Sequence, residues 1–79
     1  MTNIEKLNNI FVETFGVGVS VLSDDFCKES VESWDSIHQL NIVTAMEETF
    51  DIMLDPEDII ALDSYQAAKE VLSKNGIYM

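Results

Sequence analysis

Asp35-Ser36-Ile37-His38-Gln39-Leu40-Asn41-Ile42-Val43-Thr44-Ala45-Met46-Glu47-Glu48-Thr49-Phe50 is the stretch whose reading decides the fold. At 100° per residue, Ile42, Val43, Met46 and Phe50 fall within an arc of roughly 100°. That stripe is wide enough to face a core, so the segment reads as a helix. Ile37, Leu40, Asn41, Thr44, Glu47 and Glu48 fall on a different arc, next to Ser36. Two apolar side chains among acids and small polar groups allow two readings. Either the helix packs on two neighbours, or the second arc is a docking surface with an apolar centre and an acidic rim.

Start and stop signals place three more helices around this one. Thr2-Asn3-Ile4-Glu5 fits a capping box, Ile4, Leu7, Phe11 and Phe15 follow at helical spacing, and Gly16 and Gly18 end the run. Asp55-Pro56 opens a short third helix, with the acid as cap and proline at the first helical position. Asp63-Ser64 opens the fourth, which carries Tyr65, Ala68, Val71 and Leu72. Asn75-Gly76 closes it, with Ile77 placed to pack back. Residues 17–34 read as an ordered loop pinned by Leu22 and Phe26. No strand-like alternation competes. The expected fold is all-α: one domain over residues 1–79, a small four-helix bundle with three longer helices, a short third helix and a long first loop.

Composition agrees with a folded chain. Leu, Ile, Val and Phe make 25 of 79 residues, well above the roughly 20% below which high charge implies disorder. The net charge is −11, from 15 acids against four basic residues, all lysine. Residues 24–63 hold twelve acids and one lysine and so carry the whole excess. Such crowding works against folding through self-repulsion, so it points to partners with basic surfaces. Nucleic acid is not expected as a ligand, because phosphate contacts need cations. No apolar run approaches the ~18 residues of a membrane span, and the first residues lack the pattern of a signal peptide. The expectation is a cytoplasmic monomer with no membrane insertion. Cys27 is alone, which excludes an intrachain disulfide or a cysteine zinc site, and it is expected to be packing.

Ser36 carries two readings as well. A serine at a helix start is most often a cap, and Ser36-Ile37-His38-Gln39 itself fits a capping box. The Asp63-Ser64 pair, also before a helix, shows how ordinary that is. On the other side, a helix N-terminus favours phosphate, so a phosphodiester on Ser36 would sit in a favourable field. No base or triad accompanies the serine. His38 points some 200° away around the helix and reads as a polar side chain facing solvent.

Residues 34–40, Trp34-Asp35-Ser36-Ile37-His38-Gln39-Leu40, followed by Met46-Glu47-Glu48-Thr49-Phe50-Asp51, resemble the acyl carrier protein family. The likeness spans the chain in length, acidity and helix order, and Leu54, Asp55 and Tyr65-Gln66-Ala67-Ala68 also fit. The resemblance implies a carrier without catalysis of its own. A phosphopantetheinyl transferase would move 4′-phosphopantetheine from coenzyme A onto Ser36, and the terminal thiol would hold acyl groups as thioesters. It also implies that Asp35, Ile37, Leu40, Asn41, Thr44, Glu47 and Glu48 meet the basic docking patches of acyl-loading and acyl-processing enzymes. Exposed ion pairs contribute ~0.2–1 kcal/mol each, so binding in the millimolar-to-micromolar range with strong salt sensitivity is expected. Ile37 stands for the usual leucine. Trp34, Asn41 and Thr44 depart from the pattern of housekeeping carriers. Fatty-acid, polyketide and other specialised pathways therefore all remain open, and the Gly-Gly-x-Ser surroundings of peptidyl carriers are absent. Met46, Met53 and Phe50 are candidates to line a space for an acyl chain, with plain core packing the favoured role.

Other classes fit less well. Asp51-Ile52-Met53-Leu54-Asp55-Pro56 puts apolar side chains where a calcium loop needs oxygen ligands. There is no glycine-rich phosphate loop and no metal-ligand cluster, so an enzyme is not expected. The rival is a non-covalent acidic helical adaptor, or a nucleic-acid mimic, that binds a basic protein partner without modification of Ser36.

Overall fold

The computed structural model describes residues 2–78. Four helices follow one another: α1 (Asn3–Phe15), α2 (Ser36–Phe50), α3 (Pro56–Ala61) and α4 (Tyr65–Lys74). Among the described residues there is no strand. The long connection between α1 and α2 contains a single 3-10 turn at Val19–Val21.

The local signals act where the chain places them. Thr2 and Glu5 form a reciprocal capping box at the start of α1, and Gly16 ends that helix in the left-handed region at φ 66°. A side chain there would be strained, which is why glycine suits the position. Asp55 caps α3 by accepting the Asp58 N–H at 2.8 Å, with Pro56 following as the first helical residue. Ser64, not Asp63, caps α4, its hydroxyl accepting the Ala67 N–H at 2.9 Å. Beyond α4, Ile77 N–H donates to the Leu72 carbonyl at 2.8 Å and Gly76 N–H to that of Ser73 at 3.1 Å. This 6→1 and 5→2 pair is a Schellman closure, and it folds half-buried Ile77 onto the core.

The core is one cluster drawn from α1, α2, α4 and the connections between helices, with half-buried Ile59 of α3 packed against it. The centre is aromatic. Phe11 is fully buried, and its ring centroid lies 5.8 Å from Phe26, 5.8 Å from Trp34 and 5.4 Å from Tyr65. All three contacts are edge-to-face, the arrangement that ring quadrupoles favour. Phe15 adds contacts with Phe26 at 5.3 Å and Trp34 at 5.0 Å. The loop is thus pinned by Phe26 as expected, with Leu22 half-buried. It is pinned as well by Trp34, and by two backbone bonds to the threshold of α4. Lys28 N–H donates to the Asp63 carbonyl at 2.8 Å and Tyr65 N–H to that of Phe26 at 2.9 Å. The radius of gyration, 11.3 Å, is close to the ~11.6 Å of a compact chain of this length, so the loop lies against the bundle.

One acid is buried. Asp58 accepts from Lys74 Nζ at 2.8 Å and from Asn75 Nδ2 at 3.4 Å, which ties α3 to the end of α4. The Lys74 hydrogen bond holds its carboxyl below the usual carboxylate range, against the opposing effect of burial.

Two predictions follow from the packing. Phe11→Ala should remove about 3–5 kcal/mol, a large share of the roughly 4–12 kcal/mol available to a chain of this size, and urea denaturation will read it. Asp58→Asn should lower stability at pH 7 by about 1–3 kcal/mol. Because the folded pKa of Asp58 is depressed, its contribution is complete above the unfolded value of about 4 and disappears as pH falls through the folded value. The gap between wild type and variant in urea midpoint should therefore hold at neutral pH, start to narrow near the unfolded value of about 4, and go on closing as pH falls through the depressed folded value.

Candidate functional site

Asp35 determines where α2 begins. Its backbone is extended, and Oδ1 accepts the His38 N–H at 2.9 Å. Asp35, and not Ser36, is therefore the cap, and Ser36 is the first helical residue. Directly upstream, Trp34 is 3% exposed within the aromatic cluster. The chain is thus held on both sides of the loop–helix junction, and Ser36 is held at the surface. Its side chain is exposed, and its hydroxyl has no hydrogen-bond partner among the described residues.

The capping carboxylate changes the electrostatics expected at this point. Asp35 lies below the usual carboxylate range, first because of the hydrogen bond from the His38 backbone and then because of the His38 ring. A phosphodiester on Ser36 would find the His38 donor already taken and an anion beside it. His38 does not serve Ser36 either. Its Nδ1 lies 2.8 Å from Asp35 Oδ1, and its ring stacks on Phe15 at 5.4 Å and 11°.

The two arcs of α2 separate cleanly. Ile42, Val43 and Met46 are buried and Phe50 is half-buried. On the other arc, Ile37 is 68% and Leu40 65% exposed. Asn41, Thr44 and Glu48 are exposed beside them. The helix does not use this arc to pack on a second neighbour within the chain. Glu47 is the exception in the acidic rim, for its Oε2 accepts the Leu54 N–H at 3.0 Å and braces the turn after α2. The outward arc therefore has fewer free charges than its sequence suggests, with Asp35 and Glu48 at its ends. Met53 is 87% and Ile60 82% exposed, so Met53 does not line an internal space, whereas Met46 is core.

Gln39 read in the sequence as the end of a capping box begun by Ser36, but with Asp35 as the cap its amide is engaged elsewhere. Its Oε1 accepts the Trp34 indole N–H at 2.6 Å, and its Nε2 donates to the Ile59 carbonyl at 2.9 Å. It bridges the loop, α2 and α3. The signal was present, since position 39 falls inside the apolar arc, between Met46 and Phe50 on the helix wheel. A polar side chain there must have a partner. Cys27 is half-buried, with Sγ 3.3 Å from Ser30 Oγ.

No helix among the described residues is long and apolar enough to cross a membrane. Neither a protein-family model nor a curated protein matches the chain.

If Ile37 and Leu40 serve contacts outside the chain, replacing each with serine should leave stability within about 0.5 kcal/mol of wild type. A matched substitution at buried Ile42 should lower it by several times that. Thermal denaturation of the three variants will make the comparison.

Proposed function

We propose that this chain is an acyl carrier protein whose 4′-phosphopantetheine arm is attached to Ser36. The observation that carries the reading is an exposed serine hydroxyl with no internal partner, at the first residue of α2, fixed by the Asp35 cap and the buried Trp34. A hydroxyl so placed can reach the active site of another protein without any rearrangement of the fold.

The chemistry divides between this chain and its transferase. Ser36 Oγ attacks the phosphorus of coenzyme A that bears the pantetheine. A phosphodiester forms, the pyrophosphate bond breaks, and adenosine 3′,5′-bisphosphate leaves. The serine proton passes to a base on the transferase, because nothing in this chain is placed to accept it. The arm's thiol then holds acyl groups as thioesters for delivery to successive enzymes. The pathway is one of fatty-acid, polyketide or other specialised biosynthesis.

The outward arc of α2 supports the same reading. Ile37 and Leu40 offer an apolar contact, with Asn41 and Thr44 beside them and Asp35, Glu47 and Glu48 supplying acids. Acyl-loading and acyl-processing enzymes with basic patches fit that face. A small apolar contact plus a few exposed ion pairs, ~0.2–1 kcal/mol each, gives the weak binding a shuttle needs. The chain would act as a cytoplasmic monomer. A second reading, an acidic adaptor that binds a basic protein without modification, draws on the twelve acids of residues 24–63.

Incubation with coenzyme A and a broad-specificity phosphopantetheinyl transferase should add the mass of one phosphopantetheine, and Ser36→Ala should abolish the gain. Intact-protein mass spectrometry reads both. No gain, with the transferase shown active on another carrier, would favour the unmodified adaptor. A gain that persists in Ser36→Ala would place the arm on another residue.

A further inference from the structure

We infer that the groove between α1 and α2 receives an arginine side chain of a basic partner protein, so that a partner docked beside Ser36 is held by α1 as well as by the outward arc of α2. The inference goes beyond the carrier reading, since a carrier and an unmodified adaptor both need a basic partner.

Two rows of residues at helical spacing build the groove, which encloses about 590 Å³. Lys6, Ile10, Glu13 and Thr14 face it from α1, and Asn41, Ala45, Glu48 and Thr49 from α2. Spacings of three and four residues put each row on one side of its helix. On α2 that side lies between the buried arc and the outward arc, and Asn41 and Glu48 belong to both row and outward arc. The groove is therefore continuous with the face that carries Ile37 and Leu40. Phe15, the last residue of α1, stacks on His38 in the first turn of α2, so the two helices run antiparallel. Glu13 and Thr14 thus stand level with Asn41, at the end nearer Ser36. Lys6 stands level with Glu48 and Thr49 at the other end.

The end nearer Ser36 lacks a cation. Glu13 is exposed and makes no hydrogen bond or ion pair among the described residues. Lys6 lies two turns away along α1, about 10 Å, on the side of Glu48. Beside Glu13, the Asn41 amide oxygen and the Thr14 hydroxyl offer further acceptors. Buried Ile10 and half-buried Ala45 give an apolar floor, which the small Ala45 side chain keeps low. A carboxylate, neutral acceptors and an apolar floor together match a guanidinium, which presents five donors and no acceptor on a stem of methylenes. That cation must come from another kind of protein. This chain contains no arginine, and a second copy, itself at −11, would be repelled.

The probe is an amphipathic helical peptide with leucine and arginine on one face, titrated into the isotopically labelled full chain. The same peptide with citrulline, an uncharged counterpart of arginine, runs beside it. In wild type the arginine peptide should shift the NMR signals of the Asn41 side-chain amide and of the Glu13 and Ala45 backbone amides, and the citrulline peptide should bind more weakly. Glu13→Gln should weaken binding of the arginine peptide about two- to fivefold, the size of one exposed ion pair. Glu32→Gln removes the same charge outside this groove and should leave binding unchanged. Ala45→Leu alters no charge and should weaken binding at least as much as Glu13→Gln, by filling the floor. Thermal denaturation checks that each variant is folded, and if Ala45→Leu is not, the comparison of Glu13→Gln with Glu32→Gln decides. Equal weakening by Glu32→Gln, equal binding of the citrulline peptide, or shifts confined to the acids of residues 24–32 would each overturn the groove and leave a diffuse attraction to an acidic chain. The titration uses the chain without its arm, so failure of Ser36 to load in the mass spectrum overturns the carrier reading and leaves this result standing.

Discussion

The edge-to-face packing of Phe11 against Phe26, Trp34 and Tyr65 is the interaction on which the rest of the structure depends. A chain of this size buries only about 60–65% of its unfolded surface, yet it spends much of its length on a connection without regular secondary structure. Such a connection stays ordered only when its apolar residues reach the core. Phe11 stands on α1, Phe26 and Trp34 on the connection, and Tyr65 at the head of α4. One ring thus gathers three separate parts of the chain. Trp34 is the last buried residue before α2, so the aromatic cluster also fixes the place from which Ser36 is displayed.

Charge acts in the opposite direction. The last turn of α2 carries no basic residue, and Glu47, Glu48 and Asp51 crowd the end where the helix dipole is already negative. Asp51 is in addition the one non-glycine residue at positive φ among the described residues. Glu47 recovers part of this by bracing the turn at Leu54. Glu48 recovers none, for it makes no hydrogen bond or ion pair among the described residues. Acids that weaken their own helix make physical sense when their compensation lies on another molecule, in keeping with the docking face proposed for α2.

Features governed by neighbours in sequence were legible. The Thr2–Glu5 box, the Asp55-Pro56 start, the Asn75-Gly76-Ile77 closure and the two arcs of α2 are each set within one or two helical turns, and each is found. Features that needed distant partners were not. Spacing cannot choose between Asp35 and Ser36 as the cap, since both side chains can accept from the first turn. Trp34 stood out only as an oddity before the serine, because its partners Phe11 and Phe15 lie on another helix. Glu47 read as rim although the chain folds back on it at Leu54, and Met53 read as core packing, or less favourably as lining for an acyl chain, although the turn holds it outward. Gln39 is the instructive case, since four neighbouring residues read as a capping box that the structure does not form. Its place on the buried arc showed that it must have a partner, while the identity of that partner, a carbonyl twenty residues on, is a fact of tertiary structure.

Trp34 is the one tryptophan of the chain. Its indole is packed among phenylalanine rings, and its N–H is committed to Gln39. The protein therefore carries an intrinsic fluorophore at the junction that orients Ser36. Any event that shifts α3 away from α2 must alter the polarity around a single chromophore, so emission from the unlabelled molecule reports on that joint without interference from a second indole.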